Sequence, residues 1–230
     1  MSNINTVYQT VLALANKEQR GYITPHEFNL FARQAQLDIF EQYFYDLSQF
    51  KRVPGNQSDY ADIIGILEDK ISFFIQDGGS HTISSTDSSI SLEEDFYRMT
   101  IATLDGNTIE KTTREQQELY KTPLTSPTKQ RPIFYLYNGF LYVRPSTGTV
   151  IYSYIRKPKD PNWTYVTFGD NKNVAFNPSN SDYQDFELRP EENEKLIQKI
   201  LLMAGVAIQD YNVASLAGQQ EVKDIQQQKS

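Results

Sequence analysis

The chain is 230 residues long, 39% hydrophobic and 13% aromatic, with 15 Tyr, 13 Phe, a formal net charge of −7 and no Cys. Such a length holds one large domain or a domain with an elaboration; the charge excludes a static grip on nucleic-acid phosphates, and the absence of Cys excludes disulfides, thiol nucleophiles and thiolate metal sites. No run of about 18 apolar residues is present to span a membrane, and the first residues lack the basic-then-apolar pattern of a signal peptide, so assembly in a cytoplasm is expected.

Ile4, Val7, Val11 and Leu14 recur at helical spacing and predict a helix from residue 3 to about 19. Gly21 marks a helix exit, because it takes left-handed backbone angles without a Cβ clash. Thr24 then reads as an N-cap, Pro25 as the first helical position and Glu27 as the return partner of a capping box. The second helix runs from Pro25 to about Phe50. Its stripe of Phe28, Phe31, Ala32, Ala35, Ile39 and Tyr43 is widened by Phe40, Phe44 and Leu47, which predicts burial on more than one side. Arg52 to Asn56 breaks the chain, and Ser58 caps a third helix carrying Tyr60, Ile63, Ile64 and Leu67.

From Ile71 the period changes. Ile71–Ile75 reads as a short strand, and Asp77–Ser91, rich in Gly, Ser, Thr and Asp, as a mobile or partner-ordered loop. Phe96–Leu104 reads as a strand, Asp105-Gly106 as a hairpin turn, and Thr113–Tyr120 as a short polar helix ended by Pro123. Phe134–Tyr137, Asn138-Gly139 and Phe140–Val143 form a hairpin with a type I′ turn, followed by a third strand, Val150–Ile155. Alternation puts Phe134 and Leu136 on one face and Tyr135 and Tyr137 on the other, so this sheet needs cover on both faces. Residues 157–190, with prolines 158, 161, 178 and 190 and many Asn and Asp, read as irregular chain with Trp163–Val166 extended.

The last helix begins near Pro190. Glu191, Glu192 and Glu194 suit its dipole, and Leu196, Ile197, Ile200, Leu201, Ala204, Ile208 and Tyr211 make its buried face. After Gly218 the chain is Gln-rich, with Val222 and Ile225 as its apolar residues. Helices thus lie at the two ends and strands between. The expected fold is α+β: a helical bundle of the N-terminal helices (1–70) and the C-terminal helix and tail (191–230), carrying an inserted antiparallel β-rich region (71–190), all one structural unit.

Catalytic chemistry has little to stand on. His26-Glu27 lacks the second His of a zinc-protease helix, since position 30 is Leu. His81 lies in the Ser-rich stretch with no partner by spacing. Gly78-Gly79 is not followed by the Lys-Ser/Thr of a phosphate loop, and no Gly-x-Ser-x-Gly elbow occurs. Glu93-Glu94-Asp95 reads as a solvated approach to a strand. No catalytic residue, cofactor or metal is expected.

The segment Asn16-Lys17-Glu18-Gln19-Arg20-Gly21-Tyr22-Ile23-Thr24-Pro25, with Glu27-Phe28-Asn29, Gln36, Ile39-Phe40-Glu41, Phe44, Leu47 and Asp59-Tyr60-Ala61-Asp62, resembles the N-terminal helices of a structural protein of crAss-like and marine podovirus-like phages. A looser similarity, to the tail-adaptor rings of short-tailed phages, covers Asp95-Phe96-Tyr97-Arg98-Met99, Asp105-Gly106, Pro132-Ile133-Phe134-Tyr135, Gly139-Phe140-Leu141-Tyr142 with Pro145, Tyr154-Ile155-Arg156-Lys157-Pro158, and Ala204-Gly205 with Asp210. The stretches 77–91 and 159–189 are longer than in the shorter adaptors. The resemblance implies a non-enzymatic head-to-tail connector: a dodecameric ring at the head–tail junction of a virion, assembled in a bacterial cytoplasm, through which genomic double-stranded DNA passes without specific binding. It implies a C-terminal segment docked on the portal protein, with Tyr211, Leu216, Val222 and Ile225 expected at that contact. Tyr135, Tyr137, Tyr142 and Trp163 are expected against the next ring or tail protein or a neighbouring subunit. The alternative is a host-glycan-binding tail protein that stacks sugars on exposed Tyr and Trp163; it predicts a mostly β trimer, against which the helical share argues.

Overall fold

The computed structural model describes residues 1–17, 23–51, 58–85, 88–120, 122–169 and 173–207, less the side chains of 17, 58–62, 173, 206 and 207. In chain order its helices are α1 (Ile4–Lys17), α2 (Pro25–Phe50), α3 (Ser58–Ser72), α4 (Arg114–Leu119) and α5 (Asn193–Ala207), the last preceded by a 3-10 turn at Pro190–Glu192. The strands are β1 (Ile75–Ile83), β2 (Ser89–Ser91), β3 (Phe96–Leu104), β4 (Asn107–Thr108), β5 (Glu110–Lys111), β6 (Ile133–Tyr137), β7 (Phe140–Arg144), β8 (Gly148–Arg156), β9 (Tyr165–Phe168) and β10 (Asn173–Phe176). The protein is α+β, with sheets that are antiparallel apart from one short parallel pair, β5 with β6.

The chain divides into two compact units, one made of Met1–Lys70 with the chain from Pro158 onward, the other of Ile71–Lys157. The 158–190 stretch thus groups with the helices rather than with the strands. The physical reason lies on α2, whose amide side chains hold the 158–190 stretch. Asn29 bonds Asn162 and the Trp163 backbone, and Gln36 bonds the Lys159 carbonyl and the Glu187 amide.

In the first unit the capping box at α2 is formed. Glu27 N–H donates to Thr24 Oγ1 at 3.3 Å, and Thr24 N–H donates to the Glu27 carboxylate at 2.9 Å. α2 buries Phe28, Ala32, Ala35, Gln36, Ile39, Phe40 and Tyr43, so its wide stripe is real. α1 buries Ile4, Val7, Tyr8 and Val11, and α5 buries Leu196, Ile200 and Ala204. Both α1 and α2 pack against α5. Leu14 is exposed, so the apolar face of α1 stops one turn short of expectation. Helix α3 continues through Ile71 and Ser72, where a strand was expected. A short apolar run fits either period, and the preceding helix propagates through it. The helix exit at Gly21 and the break at 52–56 lie outside the described residues.

The second unit is two four-stranded sheets, in strand order β1-β8-β3-β4 and β2-β7-β6-β5. They share one core. Ile83, Ala102, Leu104, Val150, Tyr152 and Tyr154 come from the first sheet, and Ile90, Phe134, Leu141 and Val143 from the second. Asp105 and Gly106 (φ 49° and 88°) turn β3 into β4, and Asn138 and Gly139 (φ 51° and 78°) turn β6 into β7, as their residue types dictate. The stretch expected as a loop over Asp77–Ser91 instead supplies β1 and β2. Gly78 serves a close approach and Gly79 a positive φ of 79°: a Cβ on Gly78 would sit 2.0 Å from the Tyr152 ring, at a bulge between Asp77 and Ser80. Strand β8 does not extend the β6–β7 hairpin. Its two edges are taken by β1 and β3, while the free edge of β7 is taken by β2, so β7 and β8 belong to different sheets.

Candidate interaction surface

Register decides what the second sheet shows to its outside. Phe134 faces Val143 and Leu136 faces Leu141 on the core side, so Tyr135 opposite Tyr142 and Tyr137 opposite Phe140 lie on the outer side. The Tyr135 and Tyr142 rings stack 4.9 Å apart at 5°. Tyr135 is buried, Tyr142 half-buried, and Tyr137 and Phe140 are exposed at 49% and 37%. The Arg114 guanidinium lies 4.4 Å over the Tyr137 ring. Arg114 opens α4, whose own capping box joins Thr113 and Gln116 and which buries none of its residues. At its far end Leu119 is exposed, and Leu124 beyond it is 97% exposed on a turn held by Thr122 and Thr125.

The outer face of the first sheet carries exposed isoleucines among polar residues, which the sequence reading did not single out. Ile75 (β1), Ile101 (β3) and Ile151 (β8) are exposed, the last two at 49% and 52%. Polar groups bind the strands between them: Ser153 Oγ donates to Asp77 at 2.8 Å, and Thr103 Oγ1 donates to the Ile151 carbonyl at 3.3 Å. The signal was in the run Val150–Ile155, where both alternating sets carry large side chains.

The carboxylates at the start of β3 are used structurally. Tyr152 OH donates to Glu93 at 3.0 Å and Tyr154 OH to Asp95 at 3.0 Å. Burial first, and then these bonds, push both phenols up, Tyr154 to about 12. His81 has gained partners from the fold: its ring stacks on Tyr152 at 5.6 Å and its Nε2 lies 2.8 Å from the Gly78 carbonyl. His26 is exposed in the first turn of α2. In the first unit Tyr43 is raised by burial and by the adjacent Glu192 carboxylate, to which it is hydrogen bonded. Asp105 is held below the usual carboxylate range by the Thr149 N–H (2.8 Å) and by Lys129 (3.1 Å). Among the described residues no three His, Asp or Glu gather to hold a metal. These pairs fix strands and turns; none places a base beside a nucleophile.

Trp163 corrects an expectation. It is 2% exposed, caged by Tyr8, Tyr165 and Phe176 at 4.2–5.9 Å, with its indole N–H donated to Asn5 at 3.0 Å. It is therefore a core residue of the first unit and offers no stacking platform to a sugar or a partner. What that region does present is the antiparallel pair β9 and β10, with Tyr165, Val166 and Phe168 exposed. Tyr135, Tyr137 and Tyr142 lie on one face of the hairpin, with Tyr135 buried within the chain and Tyr137 exposed, while Tyr211, Leu216, Val222 and Ile225 lie outside the described residues.

No protein-family model matches the chain, and no curated protein matches it either. Among the described residues no helix is long and apolar enough to cross a membrane.

Proposed function

We propose that this chain is a structural virion protein that assembles as a cyclic ring between portal and tail and forms part of the conduit for packaged DNA. The observation that carries the proposal is in the second unit. Its sheets keep a common core on their inner faces, yet their outer faces also carry exposed large apolar residues: Ile75, Ile101 and Ile151 on one, Tyr137 and Phe140 on the other. Exposed apolar surface gathered on opposite faces is a feature of subunits with neighbours. A heterologous contact, one face of a subunit against a different face of the next, uses both faces and closes into a ring. The resemblance to adaptor rings supports the same reading.

In this reading the end helices form a bundle that makes the ring's body, and the tyrosine face meets a neighbouring subunit or the next tail component. The C-terminal segment, with Tyr211, Leu216, Val222 and Ile225, engages the portal, and an acidic lumen repels DNA so that it slides without sticking. Imaging of the native particle with its symmetry determined tests the proposal. The expected result is a cyclic, dodecameric layer of this protein next to the portal. A three-fold or non-cyclic arrangement overturns it.

A further inference from the structure

We infer that the short segment 187–192 is a buckle that fastens, in a single cooperative element, both places where the chain passes between the two compact units. The passages lie at 70/71 and 157/158. On the helical side of the first, the last two residues are ion-paired to the segment: Asp69 to Arg189 at 2.5 Å, and Lys70 to the buried Glu192. Tyr43 of α2 adds a hydrogen bond to the same Glu192 carboxylate, and the Lys70 ammonium lies 5.5 Å from the centre of its ring. On the helical side of the second passage, Lys159 N–H donates to the buried Glu187 at 2.8 Å, and the Lys159 carbonyl accepts from Gln36 at 2.7 Å. Gln36 in turn accepts the Glu187 N–H at 2.8 Å.

Both clamps therefore end on one stretch, at Glu187 and at Arg189 with Glu192. The N-terminus ends there too: Ser2 N–H donates to the Leu188 carbonyl at 3.0 Å and Ser2 Oγ to the Arg189 carbonyl at 2.9 Å. The segment leads directly into α5. A displacement of the start of α5 thus reaches both passages and the N-terminus at once. An element that anchors several contacts at once transmits its displacement to all of them.

Backbone hydrogen exchange on the whole protein tests this with Glu192→Gln, which weakens the Glu192 contacts to Lys70 and Tyr43 and touches no group at Lys159 or Glu187. The expected result is faster exchange, by roughly ten-fold or more, at the last turn of α3 and also at Lys159, because removing the charge of a buried pair loosens the whole segment. The central amides of α2 and those of β3 and β8 should keep their wild-type rates. Acceleration confined to α3, with Lys159 unchanged, overturns the inference; so does uniform acceleration across α2, which reports general destabilisation instead. Asp69→Asn, at an exposed side chain, is the second variant should Glu192→Gln fold poorly, and should give the same two-site pattern more weakly. Arg33→Ala removes the exposed ion pair with Asp160, beside Lys159 but off the buckle, and should leave the α3 end unchanged.

Discussion

Asn29 and Trp163 pair as two strands would. The Trp163 N–H donates to Asn29 Oδ1 at 2.9 Å, and Asn29 Nδ2 donates back to the Trp163 carbonyl at 3.1 Å. A helix side chain thereby satisfies backbone groups in a segment that has no ladder of its own at that point. Gln36, two turns on, treats Lys159 and Glu187 in the same manner.

Asn29→Leu should leave both Trp163 backbone groups without those partners, at a cost of roughly 1–3 kcal/mol for each buried group. Trp163 is the single Trp of the chain, so its fluorescence reports the event directly. A lower denaturation midpoint is expected, with native emission moved towards that of a hydrated indole. A midpoint equal to wild type would show that the pairing contributes nothing.

Gly78→Ala should destabilise the second unit. The added methyl would lie 2.0 Å from Tyr152 Cε2, and that ring cannot swing aside, being buried and bonded to Glu93. Overpacking of this kind costs about 1–3 kcal/mol. Combining Gly78→Ala with Tyr152→Leu should cost less than the sum of the two single changes, because the clash partner is gone. Strict additivity in thermal melts would remove the clash as the cause.

Where local chemistry decides, the sequence was sufficient. Thr24 and Glu27, Asp105-Gly106 and Asn138-Gly139 each state their geometry within a few residues, and β3 runs over the expected Phe96–Leu104. Where a distant partner decides, it was not. Gly78 and Gly79 read as loop until β8, some 70 residues away, supplies a ladder and a Tyr ring to cover. Trp163 read as an interface residue because its cage comes from Asn5, Tyr8 and Phe176. The tyrosine face was legible because alternation within one hairpin defines it. The isoleucines of the other sheet were not, because they come from three strands whose register places Ile75 opposite Ile155, Ile101 opposite Ser153 and Ile151 between Ser80 and Thr103.

The pH response has two limbs. The Asp105 carboxyl is depressed, first by the Thr149 N–H and then by Lys129, so its stabilising effect is present above the ordinary Asp range and is lost as pH falls through its lowered value. The Thr149 amide should therefore lose protection, measured against its intrinsic exchange rate at each pH, as the solution is acidified, and Asp105→Asn should flatten that dependence. The Tyr154 phenol is raised to about 12, so its contribution is full below the usual Tyr value of about 10 and is lost between there and about 12. Tyr154→Phe should lessen the alkaline loss in denaturation midpoints taken across this range, the share of Tyr152 remaining; an unchanged alkaline limb would show that Tyr154 contributes none of it.

Charge placed on the outer faces separates folding from assembly. Ile101 and Ile151 are about half exposed in the single chain, so Ile101→Lys and Ile151→Lys should change the stability of the isolated protein by no more than about 0.5 kcal/mol. Tyr137→Ser on the opposite sheet should cost somewhat more, losing the Arg114 contact, worth about 0.5–1 kcal/mol at an exposed site, and the cross-strand pairing with Phe140. In a closed ring each change is repeated at every contact, and a lysine sealed against an apolar face carries the cost of an unpaired buried charge. The expected outcome is near-wild-type melting of the purified chain, together with loss of the protein from particles produced by a phage carrying the variant. The two sheets should fail independently, since a heterologous contact needs both faces. Particles that incorporate Ile101→Lys, Ile151→Lys and Tyr137→Ser at wild-type levels would show that neither face is covered, and the proposed ring contact would fall with them.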